Sequence, residues 1–461
     1  MEQLSIFDVK PSLPSFALQV PEVVTKNIAF GKSKDRKRLV LSTNYLKLLG
    51  FNPGGRVSFE SLQDQKGLRA TYTPQGSHLV YSRQYKQRKN NPLEALLDVR
   101  NSDLLSKSFP EYTERVHVQM KRGEVIFRPC PNKSWEIIQR VKRDPFHSFV
   151  AMSSGIDMHS IQKNGFKVEA LLEYRPQEAR DKQDLSETGT LTALENSSPR
   201  VLINEDITQV NWDEVNNQLN HPISLLHISL QCDDFSNAKS KMLKESSIEN
   251  LTTSSDYVYD ALRLIESVQP ASFMLENVPG FQKSEMGRLL VTKLRRWGYF
   301  THEKVTSAPD FGGLTHRKRY YLVASLFPGF KFPEASSTPK NAWEVVKSEL
   351  ANCRDVSHTN TVYEGIKSGR ARIIDKDTIT APTVMKSQAR QAKDSIYISH
   401  EGRFYLPNEK LLCQLQGFPA NLSFNSVSST IASEVIGQSI DYPMHDAIIA
   451  SLKGHLSGVL P

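Results

Sequence analysis

Cysteine is scarce in this 461-residue chain: Cys130, Cys232, Cys353 and Cys413 lie far apart, and no two stand in a CxxC spacing. That excludes a disulfide framework and a structural zinc site as organising devices, so each thiol has to be judged alone. Long apolar runs are missing as well. None approaches the length of a bilayer span, and Met1 to Phe7 lack the basic stretch and apolar core of a secretory leader. These absences predict a cytoplasmic protein with no membrane partner. There is no Walker-type phosphate loop either, because Gly31-Lys32-Ser33 has Lys26 where the leading glycine belongs. With 39% hydrophobic and 23% charged residues, the chain has too much apolar content for disorder, and its length calls for two or three cores.

What is present is unevenly distributed. Residues 1–145 hold 25 Lys and Arg against 14 Asp and Glu, and the remainder holds 33 against 36, so the whole surplus behind the net charge of +8 sits in the first third. Clusters at Lys32, Lys34, Arg36, Lys37 and Arg38, and at Arg83, Lys86, Arg88 and Lys89 with Tyr81 and Tyr85 interleaved, give that part the electrostatic footprint of phosphate binding; the plainer reading is a solvated basic face. From about residue 146 an α/β rhythm begins. Ser148–Met152, Lys167–Tyr174, Val201–Asn204, Ile223–Leu230, Phe273–Asn277 and Tyr320–Ser325 read as buried strands, with helices at Met158–Asn164 and Tyr257–Val268. Another helix follows the Pro279-Gly280 turn, capped at Ser284 and stopped at Gly298. The expected fold is an α/β, doubly wound, mostly parallel sheet. Residues 327–400 lose the rhythm and read as a loop-rich insertion.

Open sheets of this kind bind ligands in the crevice at the carboxyl ends of their strands, and polar residues collect there in this sequence. Ser153, Ser154 and Gly155 follow the first strand, Glu173 the second and Asp206 the third, a pattern suited to an adenosine-bearing cofactor. Cys232 follows the fourth strand and Glu276 closes the fifth. Five segments then stand in an order that resembles the DNA cytosine-5 methyltransferase family: "QCDDFS" (Gln231 to Ser236), "ENV" (Glu276 to Val278), "THRKRYYLV" (Thr315 to Val323), "QLQGFP" (Gln414 to Pro419) and "IGQS" (Ile436 to Ser439).

The resemblance covers residues 146–461 and implies S-adenosyl-L-methionine as methyl donor and duplex DNA as partner, with no metal. It implies that the Cys232 thiolate adds to carbon 6 of cytosine, activating carbon 5, while Glu276 holds or protonates the ring at N3. A raised pKa would suit that carboxyl group. Arg317 and Arg319 would contact the base and order the loop around the cysteine. Ser154, Gly155, Glu173, Asp206 and Gln438 would hold the cofactor, Glu173 at its ribose and Asp206 at its adenine. The target atom is unreachable inside a duplex, so the base would be flipped out at a cost of a few kcal/mol.

The chain departs from the family pattern at Gln231, where a proline is usual, and at Asp233, where a glutamine is usual; a carboxylate there would raise the thiol pKa. The first motif reads Ala151-Met-Ser-Ser-Gly-Ile-Asp157-Met158, Thr315 replaces a glutamine, and Gln438 stands for the final asparagine. Two other functions fit the same residues: a degenerate relative that binds DNA as a regulator, and an RNA cytosine-5 methyltransferase. The expected organisation is a basic β-rich accessory domain over 1–145, a catalytic domain over 146–326 and 401–461, and a target-recognition region over 327–400. Within the first, Arg38 to Glu60 is similar to swapped-hairpin regulators of the AbrB type, which implies DNA binding and homodimerisation, and Val116 to Pro129 reads as a hairpin turning at Lys121-Arg122-Gly123.

Overall fold

The structure is a computed structural model, and it describes residues 20–33, 36–87, 93–178, 180–236, 239–335 and 341–461. Met1 to Phe7 and three cluster cations, Lys34, Arg88 and Lys89, lie outside them. The chain divides into two units, Met1–Glu136 and Ile137–Pro461.

The first unit is β-rich. An antiparallel sheet of six strands runs in the order Val24–Ala29, Arg115–Lys121, Glu124–Pro129, Leu68–Tyr72, Arg56–Ser61, His78–Leu79, and a second of four runs Gly31–Ser33, Arg36–Thr43, Leu93–Val99, Tyr81–Gln84. The hairpin at Lys121 pairs that residue with Glu124, and Gly123 takes the left-handed φ of +73° that its tight turn requires. Alternating residues such as Val116, Val118 and Met120 point into a core shared with Leu39, Leu41, Phe51 and Phe127.

The second unit is built on seven strands: β1 (His147–Ala151), β2 (Lys167–Leu172), β3 (Val201–Ile203), β4 (Leu225–Ser229), β5 (Ser272–Asn277), β6 (Phe300–Ser307) and β7 (Lys318–Ser325). Their order is β3-β2-β1-β4-β5-β7-β6, with β1 to β5 parallel and β7 antiparallel to both its neighbours. Every residue of β1 and β5 is buried, which is why their centres, Phe149-Val-Ala151 and Phe273-Met-Leu275, read as apolar runs rather than as alternating strands. The direction of winding changes between β1 and β4, the place where such sheets open a crevice. Helices behave as their patterns predict. Ser284 accepts a hydrogen bond from the Gly287 N–H at 3.0 Å to start Glu285–Arg296, and Leu290, Val291 and Leu294 on one face are buried.

Three details differ from the sequence reading. β6 had no apolar signature, because this edge strand alternates across His302-Glu303-Lys304 and is largely solvated. The Pro279-Gly280 pair does not form a free turn; proline occupies the first turn of a short helix, Pro279–Lys283, where its missing N–H costs nothing. The region 327–400 keeps long irregular stretches but is more ordered than its composition suggests. It carries helices Ala342–Glu349 and Asn360–Lys367 and strands Arg354–Asp355, Arg372–Ile374 and Ile396–His400, which with Arg403–Leu406 form a separate four-stranded sheet. Strands of two to five residues are too short to show a hydrophobic period. Helices Glu409–Leu415 and Ser429–Gln438 share a core with Trp343, Ile374 and Ile398, whereas Tyr442–Ser457 returns to the main core through Met444, Ile448 and Leu452.

Candidate active site

The carboxyl ends of β4 and β5 bring the two reactive side chains together. Ser229 and Glu276 are register partners on these strands, so Cys232, three residues past Ser229, follows directly onto the edge where Glu276 ends its own strand. The loops are locked to each other. Asn277 Nδ2 donates to the Leu230 carbonyl at 3.0 Å, and Phe235 packs edge-to-face on Phe281 at 4.8 Å. A Cβ at Gly280 would collide with the Phe235 carbonyl oxygen, so this close approach requires glycine. The Cys232 carbonyl accepts from the N–H groups of Phe235 and Ser236, closing a turn around the half-buried thiol.

Burial dominates the electrostatics. It pushes the Cys232 thiol up; Arg319 pulls it down, and Asp233 and Glu276 push it further up. Glu276 is raised by burial against the attraction of Arg319 and Arg317, and Arg319 Nε lies 2.7 Å from its Oε1. Arg317 is fully buried, and its guanidinium is spent on main chain. It donates to the carbonyls of Val384 at 3.3 Å, Gly437 at 3.4 Å and Gln438 at 3.2 Å, and to that of Ser439. Of the two arginines expected at a base, Arg319 therefore sits on the carboxylate, while Arg317 ties β7 to the segments around 384 and 438.

The expected cofactor residues divide in the same way. Ser153, Ser154 and Gly155 form the turn after β1, with Gly155 at φ +100°, and a Cβ there would stand 2.5 Å from Ala193 Cα. Glu173, one residue beyond β2, is buried, and its pKa is pushed up to about 8 by burial and by Asp157. Its Oε2 has no hydrogen-bond partner, a buried acceptor that a ligand hydroxyl would satisfy. A nucleoside with a free diol fits that vacancy in bonding, and small residues leave the backbone approachable. Asp206, half-buried past β3, accepts from Thr208 N–H and Oγ1 at 2.9 and 2.8 Å. Gln438 does not join the group: its side chain is exposed, and its carbonyl is taken by Arg317.

Several residues that motif reading passed over stand at this edge. Asp234 accepts from Lys239 Nζ at 2.5 Å, Thr253 Oγ1 at 2.8 Å and Ser254 N–H at 2.6 Å, stapling the base of the segment that follows the cysteine. Asp157, His227 and His445 are buried beneath the strands, and no local pattern announces them because they come from three distant elements. A second acid and histidine group, Asp144 with His147 and His221, lies at the opposite end of the strands, where one carboxylate bridges two stacked rings. Among the described residues no helix is long and apolar enough to cross a membrane.

Comparison with known proteins points to one family. The family model described as C-5 cytosine-specific DNA methylase matches residues 190–329, a stretch that contains Cys232, Glu276, Arg317 and Arg319. The type II methyltransferase M.MspI of Moraxella sp is 32% identical over 135 residues, covering 28% of this chain and 32% of that protein. M.BsuFI of Bacillus subtilis is 25% identical over 54% of this chain and 61% of its own length, and M.NlaX of Neisseria lactamica is 26% identical over 55% and 82%. This chain thus spans a third to under two thirds of the first two relatives. Among solved structures, the S. pombe Dnmt2 methyltransferase superposes with a TM-score of 0.53 at 16% identity, covering 68% of this chain and 99% of that one. At that identity the likeness establishes the fold, a methyltransferase-type α/β sheet.

Proposed function

We propose that this chain, whose residues 190–329 match the C-5 cytosine-specific DNA methylase model, transfers a methyl group from S-adenosyl-L-methionine to carbon 5 of cytosine in duplex DNA. The observation that carries the reading is the convergence of Cys232 and Glu276 on adjoining strand ends, with Arg319 on the carboxylate. S-adenosyl-L-methionine supplies an electrophilic methyl group. Cys232 adds to carbon 6 of the extruded base, which makes carbon 5 nucleophilic. Glu276, its pKa raised by burial, is biased toward the protonated form that donates to N3 and offsets the electron density the addition creates. Glu173 accepts from the ribose hydroxyls through the oxygen that has no partner, Asp206 serves the adenine, and Ser154 and Gly155 border the cofactor. Arg317 acts indirectly, by holding the main chain around Gln438.

The basic first unit is assigned to the flanking duplex and to homodimerisation, in keeping with its AbrB-like segment. Its edge strand Tyr81–Gln84 is exposed throughout, and the Arg83 guanidinium lies 5.0 Å from the Tyr85 ring centroid, a pairing of cation and aromatic suited to a nucleic-acid surface. The chain is expected in the cytoplasm, associated with DNA. The decisive experiment incubates it with labelled S-adenosyl-L-methionine and either duplex DNA or RNA, beside Cys232→Ser and Glu276→Gln. Only the unaltered chain labels DNA and is captured covalently by DNA containing 5-fluorocytosine. Labelling of RNA alone, or capture that survives Cys232→Ser, defeats the reading.

A further inference from the structure

Beneath the catalytic edge lies a line of polar groups that the reaction above does not use. His227 projects from β4 and His445 from the helix Tyr442–Ser457; both are fully buried, and their Nε2 atoms face each other at 3.1 Å. Two ring nitrogens at that distance share one hydrogen, so one ring carries its proton on Nε2 and the other does not. Burial holds both rings neutral, His227 at about 4 and His445 well below the ordinary value. On one side His445 Nδ1 lies 3.1 Å from Ser160 Oγ, which lies 3.4 Å from Asp446 Oδ1. The Asp446 side chain is 22% exposed and pairs with Lys163 at 2.6 Å, so this end reaches solvent. On the other side His227 Nδ1, without a hydrogen-bond partner, looks at Asp157 Oδ2 across 3.7 Å. Asp157 is held by Ser229 Oγ at 2.9 Å and is close enough to Arg317 and Glu276 for their charges to affect one another. The Tyr321 ring, 6.4 Å from His445, completes the surroundings from β7.

Two proton arrangements fit this line, in which the 3.7 Å gap between His227 Nδ1 and Asp157 is the one link longer than a hydrogen bond. In the first, Ser160 donates to His445 Nδ1, His445 Nε2–H donates to His227 Nε2, and His227 Nδ1–H points at an ionised Asp157. In the second, a protonated Asp157 faces a bare His227 Nδ1, His227 Nε2–H donates to His445, His445 Nδ1–H donates to Ser160, and Ser160 donates to Asp446. The two differ by one proton delivered from the buried end to the exposed end, with every intermediate group giving one and taking one. A buried polar line with two such states is costly to maintain and has the form of a conductor rather than a brace.

We propose that Asp157, His227, His445, Ser160 and Asp446 form a proton wire that carries the proton released at cytosine carbon 5 to solvent while DNA covers the mouth of the site. The inference rests on the methyl-transfer reading. After methylation, the C5–H bond breaks and its electron pair restores the C5–C6 double bond, while the C6–S bond breaks and Cys232 leaves as thiolate. The proton goes to the Asp157 carboxylate, passes to His227 Nδ1, from His227 Nε2 to His445 Nε2, from His445 Nδ1 to Ser160 and from Ser160 to Asp446, which gives it to water. These groups act after the covalent adduct has formed.

That timing supplies the test. Fluorine at carbon 5 cannot leave as a cation, so capture of 5-fluorocytosine DNA needs the cysteine, the acid and the methyl donor but no wire. Ser160→Ala, His445→Gln and Asp446→Asn are compared with the unaltered chain for capture rate, for tritium release from DNA carrying 5-tritiated cytosine, and for kcat and KM on ordinary DNA. Expected are unchanged capture and KM, with tritium release and kcat lowered together by about tenfold or more. Nitrogen-15 spectra are expected to show one histidine protonated on Nδ1 and the other on Nε2 in the unaltered protein. Normal kcat in Ser160→Ala and Asp446→Asn overturns the wire. So does capture that slows in step with kcat, which marks a structural role, or a stoichiometric metal ion lost in His445→Gln. Failure of the unaltered chain to capture DNA at all overturns the methyl-transfer reading, and the wire with it.

Discussion

Glu173 offers the sharpest quantitative test of how this site is kept. Its carboxyl group is buried, has an oxygen without a partner, and has an ordinary value of 4.5 moved to about 8, first by burial and then by Asp157. Between those two pH values the folded chain holds a proton at Glu173 that the unfolded chain has released. Its contribution to stability is therefore full below about pH 4.5 and is lost as pH rises through about 8. At about 1.4 kcal/mol per pH unit the whole interval corresponds to about 5 kcal/mol, an upper bound, because relaxation and water entry soften a buried charge. Glu173→Gln keeps the shape and removes the titration. Melting temperatures from pH 5 to 9 are expected to fall for the unaltered chain relative to the glutamine variant, by roughly 3–5 °C for an effective 2–3 kcal/mol in a unit of this size. Asp441, raised to about 6, titrates in both proteins and cancels in the difference, whereas Asp157 interacts with Glu173 and its own response to the substitution is part of that difference. Saturating S-adenosyl-L-methionine should shrink the gap, because ribose hydroxyls hydrogen-bond the ionised form. A difference curve that is flat with pH would refute both the burial argument and the assignment of that oxygen to a ligand.

Other perturbations follow from the same geometry. Asp233→Asn removes one of the two charges that push the Cys232 thiol up, so alkylation by iodoacetamide near neutral pH is expected to quicken and its pH profile to move down; an unmoved profile places the Asp233 charge in solvent. Leu251 is 91% exposed at a left-handed φ of +57°, just past the helix Lys241–Glu249, where glycine is the favoured residue. Leu251→Gly should stabilise the chain by about 1 kcal/mol, read from the urea midpoint, and a loss of stability would mean that the leucine makes contacts its exposure denies. Arg317→Lys keeps the charge but cannot fork to four carbonyls, so a loss of about 2–4 kcal/mol is expected, with the apparent affinity for DNA falling as the segments around 384 and 438 loosen.

The parallel core was legible because β1, β4 and β5 carry short buried apolar stretches, Phe149-Val-Ala151, Leu225-Leu226 and Phe273-Met-Leu275, that run into polar residues at the carboxyl ends of the strands. That rule singled out Cys232 past β4 and Glu276 at the end of β5, and its counterpart past β2 singled out Glu173. The edge strand β6 escaped because its alternation carries few apolar residues, and the short strands between 354 and 406 because two to five residues show no period. Arg317 and Arg319, two residues apart, look equivalent in sequence; only the fold decides that one faces a carboxylate and the other four carbonyls. Asp157, His227 and His445 were illegible for a different reason. Their meeting depends on three elements separated by up to 288 positions, from Asp157 to His445, and each alone is an ordinary buried polar residue.

In the free chain burial biases the reacting groups toward their neutral forms: the Cys232 thiol and the Glu276 carboxyl are both raised. For Glu276 this favours the proposed reaction, in which a protonated carboxyl meets N3. For Cys232 it opposes the reaction, and Asp233 makes matters worse. Arg319 reconciles the two. It is the largest influence pulling the thiol down, yet its Nε is engaged by the Glu276 carboxylate at 2.7 Å. A base that keeps Glu276 protonated through a hydrogen bond at N3 removes the competing anion from Arg319, and the guanidinium is then free to stabilise a thiolate. Under the proposed mechanism, thiolate formation and base recognition would become a single event, with the sulfur held inert until a cytosine is seated. On this reading the proline and glutamine that usually flank the cysteine can be absent, because activation is delivered by the substrate through Glu276 and Arg319 rather than by the thiol's immediate neighbours.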